Sequence, residues 1–161
     1  MEIFFKKFTW KHLLLGIALL SQGLSFAKTN EDQFTHEKIL NNGLKVIVKE
    51  DHRSPTVAHM VWYRAGSVDE NIGTTGVAHV LEHMMFKGTK TSAPGDFSKK
   101  VAALGGRENA FTSNDYTAYF QQIEKSHLPK VMELEADRMQ NLELSEEEFK
   151  KEIQVIMEER R

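Results

Sequence analysis

Alternating apolar and polar positions predict strands near the start of the folded part of the sequence. In "LKVIVKE", residues 44–50, the apolar residues Leu44, Val46 and Val48 alternate with Lys45 and Lys49. This alternation is typical of a strand with one buried face. The preceding dipeptide, Asn42-Gly43, predicts a two-residue hairpin turn in which both residues have positive φ angles. A further strand is predicted over residues 56–66, "TVAHMVWYRAG", which are rich in β-forming residues.

A helical spacing of apolar residues replaces the alternation further along the chain. Residues 76–86 predict a largely buried helix that is capped by Thr74 or Thr75. A short helix follows over "FSKKVAALGG", residues 97–106, and ends at its two glycines. Residues 128–141 predict a longer helix, with a proline in its first turn. Its expected apolar stripe consists of Leu128, Val131, Met132, Leu134 and Met139.

A strand pair and a terminal helix complete the pattern. Residues 107–125 predict two antiparallel strands joined by a turn at Asn114-Asp115. Ser145, followed three residues later by Glu148, predicts a capping box at the start of the last helix. Its apolar positions are Phe149, Ile153 and Ile156. The predicted fold class is therefore α+β, an antiparallel sheet covered by helices.

The first 27 residues are typical of a secretory signal peptide. Three lysines precede an apolar run at residues 13–20, and small residues at Ser25 and Ala27 favour cleavage after Ala27. The run is too short for a membrane anchor, which needs about 20 apolar residues. We therefore expect a signal peptide over residues 1–27, a flexible lead-in over residues 28–35 and one domain over residues 36–161.

Composition narrows the range of partners and compartments. The 161 residues are 40% hydrophobic and 27% charged, which is ordinary for a soluble globular protein. A formal net charge of −2 without any block of lysine or arginine argues against a nucleic-acid partner. The sequence contains no cysteine, so no disulfide framework is possible. Together with the signal peptide, this favours secretion across the inner membrane into a bacterial periplasm, without membrane attachment after cleavage.

The strongest candidate for chemistry is the cluster of His79, Glu82 and His83. Residues four apart lie on one face of a helix, so both imidazoles can bind one zinc ion. Glu82 lies beside that face, within reach of a water on the metal. The order His-x-x-Glu-His is the inverzincin motif. The alternative is a solvent-facing helix with two chance histidines, but its apolar neighbours argue against this, since buried ionisable groups need partners.

The third zinc ligand stays open at this point. A catalytic zinc site usually has three protein ligands. Candidates include His52 and His127 in predicted surface turns, and His59 in mid-strand. A helical wheel places Glu152 and Glu159 side by side at the edge of the last helix's apolar face, and directs Glu158 toward water. This geometry permits a function for the first two glutamates without assigning one.

Three motifs resemble the insulinase/pitrilysin family of zinc peptidases, especially bacterial members similar to mitochondrial processing peptidase. They are "HVLEHMMFKGT", "GGRENAFTSNDYTAYF" and "EIQVIMEE", within a resemblance that covers about residues 34–161. The resemblance implies one zinc ion per site, with Glu159, 76 positions after His83, as the third ligand. It also implies that Glu82 is the general base and that Glu152 supports the site without binding metal.

The same resemblance implies a peptide substrate. In this family the substrate adds as an extra strand to the edge that matches "ENAFTS". Asn109 and Ala110 match substrate-contacting positions, while Phe86 and Phe111 match an apolar pocket beside the scissile bond. For both phenylalanines, ordinary core packing is the alternative.

The family's working unit is longer than this chain and consists of two related halves that close like a clamshell. The present chain stops two residues after Glu159. We therefore expect the incomplete N-terminal domain of such a peptidase, which needs a C-terminal half or a second peptidase subunit for activity. The alternatives are a non-catalytic subunit that binds peptides or a partner peptidase, and an inactive truncated product.

Overall fold

The computed structural model describes residues 34–161, so the predicted signal peptide and most of the predicted lead-in lie outside the described residues. The chain divides into two compact units between His52 and Arg53. This division separates a hairpin from the rest of the domain that the sequence predicts over residues 36–161. Among the described residues, no helix has the length and apolar character that crossing a membrane requires.

The first unit contains a β-hairpin of β1 (Thr35–Ile39) and β2 (Lys45–Lys49), paired antiparallel. β1 begins at the last residue of the predicted lead-in, so that residue is strand. The prediction of a two-residue turn is wrong. Leu40 N–H donates to Leu44 O (2.9 Å) around a three-residue loop, and in that loop only Gly43 has a positive φ, +85°. Asn42 keeps a negative φ, and its side chain accepts from Leu44 N–H (3.1 Å).

The prediction that β2 has one buried face is also wrong. Leu44 and Val48 are exposed, and Val46 is half-buried. The physical reason is that two strands alone have too little surface to enclose an apolar face.

The second unit is built on a three-stranded antiparallel sheet. Its strands are β3 (Thr56–Tyr63), β4 (Arg107–Thr112) and β5 (Thr117–Glu124), in the order β3-β5-β4. The turn between β4 and β5 lies where the sequence predicts it, with Ser113 N–H donating to Tyr116 O (2.8 Å). Within the described residues, β4 is an edge strand.

Four helices accompany this sheet: α1 (Val77–Met84), α2 (Asp96–Ala103), α3 (Leu128–Asn141) and α4 (Glu146–Glu159). Their positions confirm the α+β prediction. Ser145 caps α4 as predicted, since its hydroxyl accepts from Glu148 N–H (3.1 Å). The other half of the predicted capping box is wrong, because the Glu148 carboxylate accepts from Lys151 Nζ (2.8 Å) instead of from Ser145 N–H.

The predicted threonine cap of α1 is wrong. Gly76 occupies the N-cap position, and the Glu70 carboxylate accepts from Gly76 N–H (2.7 Å) and Ala78 N–H (2.8 Å). These backbone donors, Ala78 first, lower the pKa of Glu70. A carboxylate satisfies the free N–H groups of a helix start and interacts favourably with its dipole. The nearby Thr74 hydroxyl donates to Asn71 O instead.

α1 is less buried than its apolar content predicts. Val77 and Leu81 are exposed, whereas Met84 and Met85 at its end are buried. The buried methionines fix the C-terminal part of α1 in the unit, while its first turn remains accessible.

The core centres on Phe97, Val101, Ile123 and Val131. The predicted apolar stripe of α3 is partly wrong, because Met132 and Met139 are exposed.

α3 instead buries the charged pair Glu135 and Arg138. Glu135 Oε2 lies 2.6 Å from Arg138 Nη2. The guanidinium lies over the rings of Phe97 (4.3 Å), Tyr119 (4.5 Å) and Phe86 (5.1 Å). An apolar pattern treats charged residues as solvent-facing, so it could not predict this arrangement.

Candidate metal centre

The two histidines of the inverzincin motif converge on one face of α1. His79 and His83 are one turn apart, and their rings meet edge to face with centroids 4.7 Å apart. Their Nε2 atoms lie 3.2 Å from each other. The side chain of His79 is 37% exposed and that of His83 is 19% exposed, so solvent reaches both.

Glu159, in the last turn of α4, completes the cluster. Its Oε2 lies 3.4 Å from His79 Nε2 and 3.6 Å from His83 Nε2. Among residues 34–161, these three are the one group of three or more His, Asp or Glu residues whose ligand atoms all lie within 4.8 Å of one another.

The other histidines considered as third ligands lie outside this group. His59 Nδ1 is bonded to Gln121 Oε1 (2.8 Å), and His52 Nε2 is bonded to Glu50 (3.0 Å). His127 belongs to a short 3-10 turn before α3. The structure therefore brings Glu159, and none of the alternative histidines, to the histidine pair.

The spacing of the three atoms fits a zinc ion. Zinc bonds to imidazole nitrogen and carboxylate oxygen are about 2.0–2.2 Å long, so tetrahedral ligands lie about 3.3–3.6 Å from each other. The observed separations of 3.4 and 3.6 Å fall in that range, and the separation of 3.2 Å between the two nitrogens is about 0.1 Å below it. Two imidazoles and one carboxylate also form a known donor set of catalytic zinc sites, which leave a fourth position open.

Glu152 contacts His83 at Nδ1, the ring nitrogen that does not face Glu159. Its Oε2 lies 3.0 Å from His83 Nδ1, and its Oε1 is bonded to Lys87 Nζ. Burial acts to raise the pKa of Glu152, but hydrogen bonds from Lys87 and His83 outweigh it and leave that pKa below its ordinary value. An ionised carboxylate can only accept, so this contact requires the hydrogen of His83 to be on Nδ1, and that tautomer leaves the Nε2 lone pair free for a metal.

Glu82 lies on the flank of the cluster and is held by the sheet. Its Oε2 accepts from the hydroxyl of Thr112, the last residue of β4, at 2.5 Å. The neighbouring Thr117 hydroxyl donates to Ala65 O (2.9 Å). This bond fixes the orientation of the Glu82 carboxylate beside the cluster.

The structure does not bring the predicted pocket phenylalanines together. Phe86 contacts Tyr119, whereas Phe111 contacts Phe120 and Trp62. Adjacent residues of a strand point to opposite faces, so Phe86 and Phe111 lie on opposite faces of the sheet. Phe86 also lies against Arg138, which is the core packing that the sequence left as its alternative.

Asn109 and Ala110 lie in mid-β4, paired with Phe120 and Tyr119 of β5. Asn109 is exposed and Ala110 is half-buried. They are therefore at the sheet edge where the resemblance expects them, and their contact with substrate stays a prediction.

Sequence reasoning missed two side chains of this site, Lys87 and Thr112. Lys87 follows His83 by four residues, but it lies beyond the end of α1, so helical periodicity does not place it. Thr112 follows the alternation of β4 onto the same face as Ala110. That alternation was a usable indication that its hydroxyl faces the helices.

Comparison with known proteins places the chain in a family. The insulinase family, peptidase family M16, matches residues 45–161. The zinc protease PqqE of Helicobacter pylori is 44% identical over 128 residues, which are 78% of this chain and 29% of that protein. The β subunit of the mitochondrial-processing peptidase of Bos taurus is 39% identical over 125 residues, 78% of this chain and 25% of that protein.

Solved structures agree with the fold described above. A protease from Helicobacter pylori has a TM-score of 0.76 and 42% identity, covering 79% of this chain and 31% of that one. The first half of the periplasmic protease PqqL from Escherichia coli has a TM-score of 0.74 and 30% identity, covering 80% and 29%. This chain thus spans less than a third of the proteins it matches. Its match over residues 45–161, with relatives at these identities, shows that it belongs to the insulinase family, peptidase family M16.

Proposed function

We propose that this chain carries the zinc centre of an endopeptidase that cleaves peptides or small unfolded proteins. The observation that carries the proposal is the convergence of His79 Nε2, His83 Nε2 and Glu159 Oε2 at the spacing of tetrahedral zinc ligands. Relatives named as zinc proteases support it.

The residues around the cluster have different proposed roles in peptide hydrolysis. A bound zinc ion supplies a water whose pKa falls to about 7 and a Lewis acid for the scissile carbonyl. Glu82 accepts the proton of the attacking water and then delivers it to the leaving amine. Thr112 keeps the Glu82 carboxylate fixed, and Glu152 holds the His83 ring in its metal-binding orientation.

The substrate peptide is proposed to bind along β4. An extended peptide can add to an edge strand through backbone hydrogen bonds, with side-chain positions alternating between the two faces. Asn109, Ala110 and Phe111 are the proposed contacts on this strand. Thr112 ends the same strand and touches Glu82, so a peptide bound along β4 lies beside the proposed general base.

The proposed working protein is exported and larger than this chain. A signal peptide over residues 1–27 and a periplasmic location are proposed from the sequence, and the structural relative PqqL is described as periplasmic. Because the chain spans less than a third of its relatives, activity is proposed to need a C-terminal half or a second peptidase subunit.

A second candidate is a non-catalytic subunit that binds peptides or a partner. One relative, at 38% identity over 125 residues, is named subunit 1 of the mitochondrial cytochrome b-c1 complex of Rattus norvegicus, not a protease. The intact set of His79, His83, Glu82 and Glu159 favours the peptidase over this candidate.

The test is zinc content followed by peptide cleavage. The chain, reloaded after chelation, is expected to hold one zinc ion. The variant His83→Ala should lose it, while the control His52→Ala should keep it, because His52 lies outside the cluster. Cleavage is then assayed with and without a C-terminal half or partner subunit. A wild-type chain that retains no stoichiometric zinc would overturn the proposal, and zinc without cleavage in any combination would favour the non-catalytic subunit.

A further inference from the structure

We infer that Lys87 is a positioning residue of the zinc centre, which holds Glu152 so that Glu152 can orient His83. The inference rests on the proposed zinc site and assigns no metal contact to Lys87 itself. Its basis is the Glu152 carboxylate, whose two oxygens contact two different donors. Glu152 Oε1 bonds Lys87 Nζ, and Oε2 lies 3.0 Å from His83 Nδ1.

Lys87 differs in its burial from the lysines at the start of α4. Lys150 pairs with Glu146 and Lys151 pairs with Glu147, and all four of these side chains are more than half exposed. Ion pairs of that kind contribute little. The side chain of Lys87 is 24% exposed and that of Glu152 only 9%. Water screens this pair less, and a buried carboxylate is costly without its partner.

Lys87 also connects the two helices that carry the proposed ligands. It lies three residues beyond the end of α1, which holds both histidines. Glu152 lies on α4, two turns before Glu159. The contact between Lys87 and Glu152 therefore joins α1 to α4 beside the cluster. Losing it should free the Glu152 rotamer, and with it the orientation of His83.

A lysine that only stabilises the fold would change the free energy of unfolding and leave zinc affinity unchanged. The test therefore measures zinc affinity and the tautomer of His83. The variant Lys87→Met keeps most of the stem and removes the ammonium, whereas Lys87→Arg keeps a cation that can donate. Lys151→Met is the matched control, because it removes two ion pairs of α4, with Glu147 and Glu148, that do not involve Glu152. Glu152→Gln and the double variant with Lys87→Met show whether Lys87 acts through Glu152.

Zinc dissociation constants are measured on the full 161-residue chain by competition with a chromophoric chelator. Lys87→Met should bind zinc about 10–100-fold more weakly, the usual effect of losing a residue that supports a metal ligand. Lys87→Arg should recover most of the affinity, and Lys151→Met should equal wild type. In the Glu152→Gln background, Lys87→Met should have little further effect. Nitrogen-15 chemical shifts of the metal-free chain should show His83 leaving its Nδ1–H tautomer in Lys87→Met.

The outcomes separate this inference from the proposed function. If wild type binds zinc and Lys87→Met binds it within twofold, with the tautomer of His83 unchanged, the inference is wrong and the zinc site stands. An equal loss of affinity in the presence and absence of the Glu152 carboxylate would also overturn it. If wild type binds no zinc, both fail. Should Lys87→Met not fold, Lys87→Gln takes its place in each measurement, including the double variant.

Discussion

The Glu82 carboxylate and the Thr112 hydroxyl share a 2.5 Å hydrogen bond that joins α1 to the end of β4. The two residues are 30 positions apart in the sequence. Their contact fixes the orientation of the proposed general base. It also sets the distance between that base and the strand along which the substrate is proposed to bind.

Replacing Thr112 tests whether this hydrogen bond positions Glu82. Thr112→Val keeps the shape of the side chain and removes the donor. We expect kcat of the completed peptidase to fall about 10-fold, a part of the roughly 10²–10⁴-fold that a general base contributes. KM and zinc content should stay close to wild type, because neither depends on the hydroxyl. Steady-state kinetics and metal analysis measure both.

Thr112→Ser provides the control, because serine retains the hydroxyl and loses a methyl group. It should recover most of kcat. Equal kcat values for Thr112→Val and wild type would show that Glu82 needs no help from β4.

Glu82→Gln separates proton transfer from metal binding. The amide cannot accept the proton of the attacking water, so we expect kcat to fall by at least about 10²-fold. Zinc content should remain at one ion per chain, since Glu82 is not among the three converging residues. Kinetics in the completed peptidase, with zinc measured on the same sample, provide the readout. Cleavage at the wild-type rate would remove Glu82 from the mechanism.

Glu159 and Glu158 form a natural pair of test and control. Glu159→Gln removes the negative charge of the proposed third ligand, whose Oε2 lies beside His79 and His83. Its zinc affinity should fall by more than the roughly 10–100-fold that is typical of losing a supporting residue. Glu158 is exposed and pairs with Arg161, so Glu158→Gln should bind zinc like wild type. Equal zinc affinities in the two variants would exclude Glu159 as a ligand.

The buried pair of Glu135 and Arg138 makes a prediction about stability. Arg138→Met leaves Glu135 buried without its cation, at an expected cost of about 3–5 kcal/mol in the free energy of unfolding. Urea unfolding of the metal-free chain measures this. The double variant Glu135→Leu/Arg138→Met should be markedly more stable than the single one. A single variant as stable as wild type would mean that the pair contributes nothing.

The contact of Glu70 with the start of α1 predicts that the stability of the fold depends on pH. Two backbone N–H donors lower the folded-state pKa of Glu70 below its ordinary value of 4.5. A lowered carboxyl pKa stabilises the fold above the unfolded-state pKa, and this contribution is lost as pH falls through the folded-state pKa. Glu70→Gln should therefore unfold more easily than wild type at pH 7. The difference in urea midpoint should shrink as pH falls below 4.5, and a constant difference would contradict this origin.

Local periodicity accounts for what the sequence determined. The i, i+4 spacing of His79 and His83 places both imidazoles on one face of a helix, and the structure has that helix. A helical wheel likewise separates Glu159, which reaches the histidines, from Glu158, which is exposed. The strands β4 and β5, with their turn, follow from alternation and turn residues. The proposed role of Glu159 as a ligand comes from the family resemblance and not from periodicity.

Long-range packing determined the contacts between elements that are distant in the sequence. Periodicity fixes the direction of a side chain around its own helix or strand, but it does not say which element lies opposite. The contacts of Glu152 with His83 and of Thr112 with Glu82 span 69 and 30 positions, and they exist only because α1 packs against both α4 and β4. The sheet likewise places Phe86 and Phe111 on opposite faces. The sequence thus determined which side chains could meet a metal, and the packing of helices on the sheet determined which residues hold them in place.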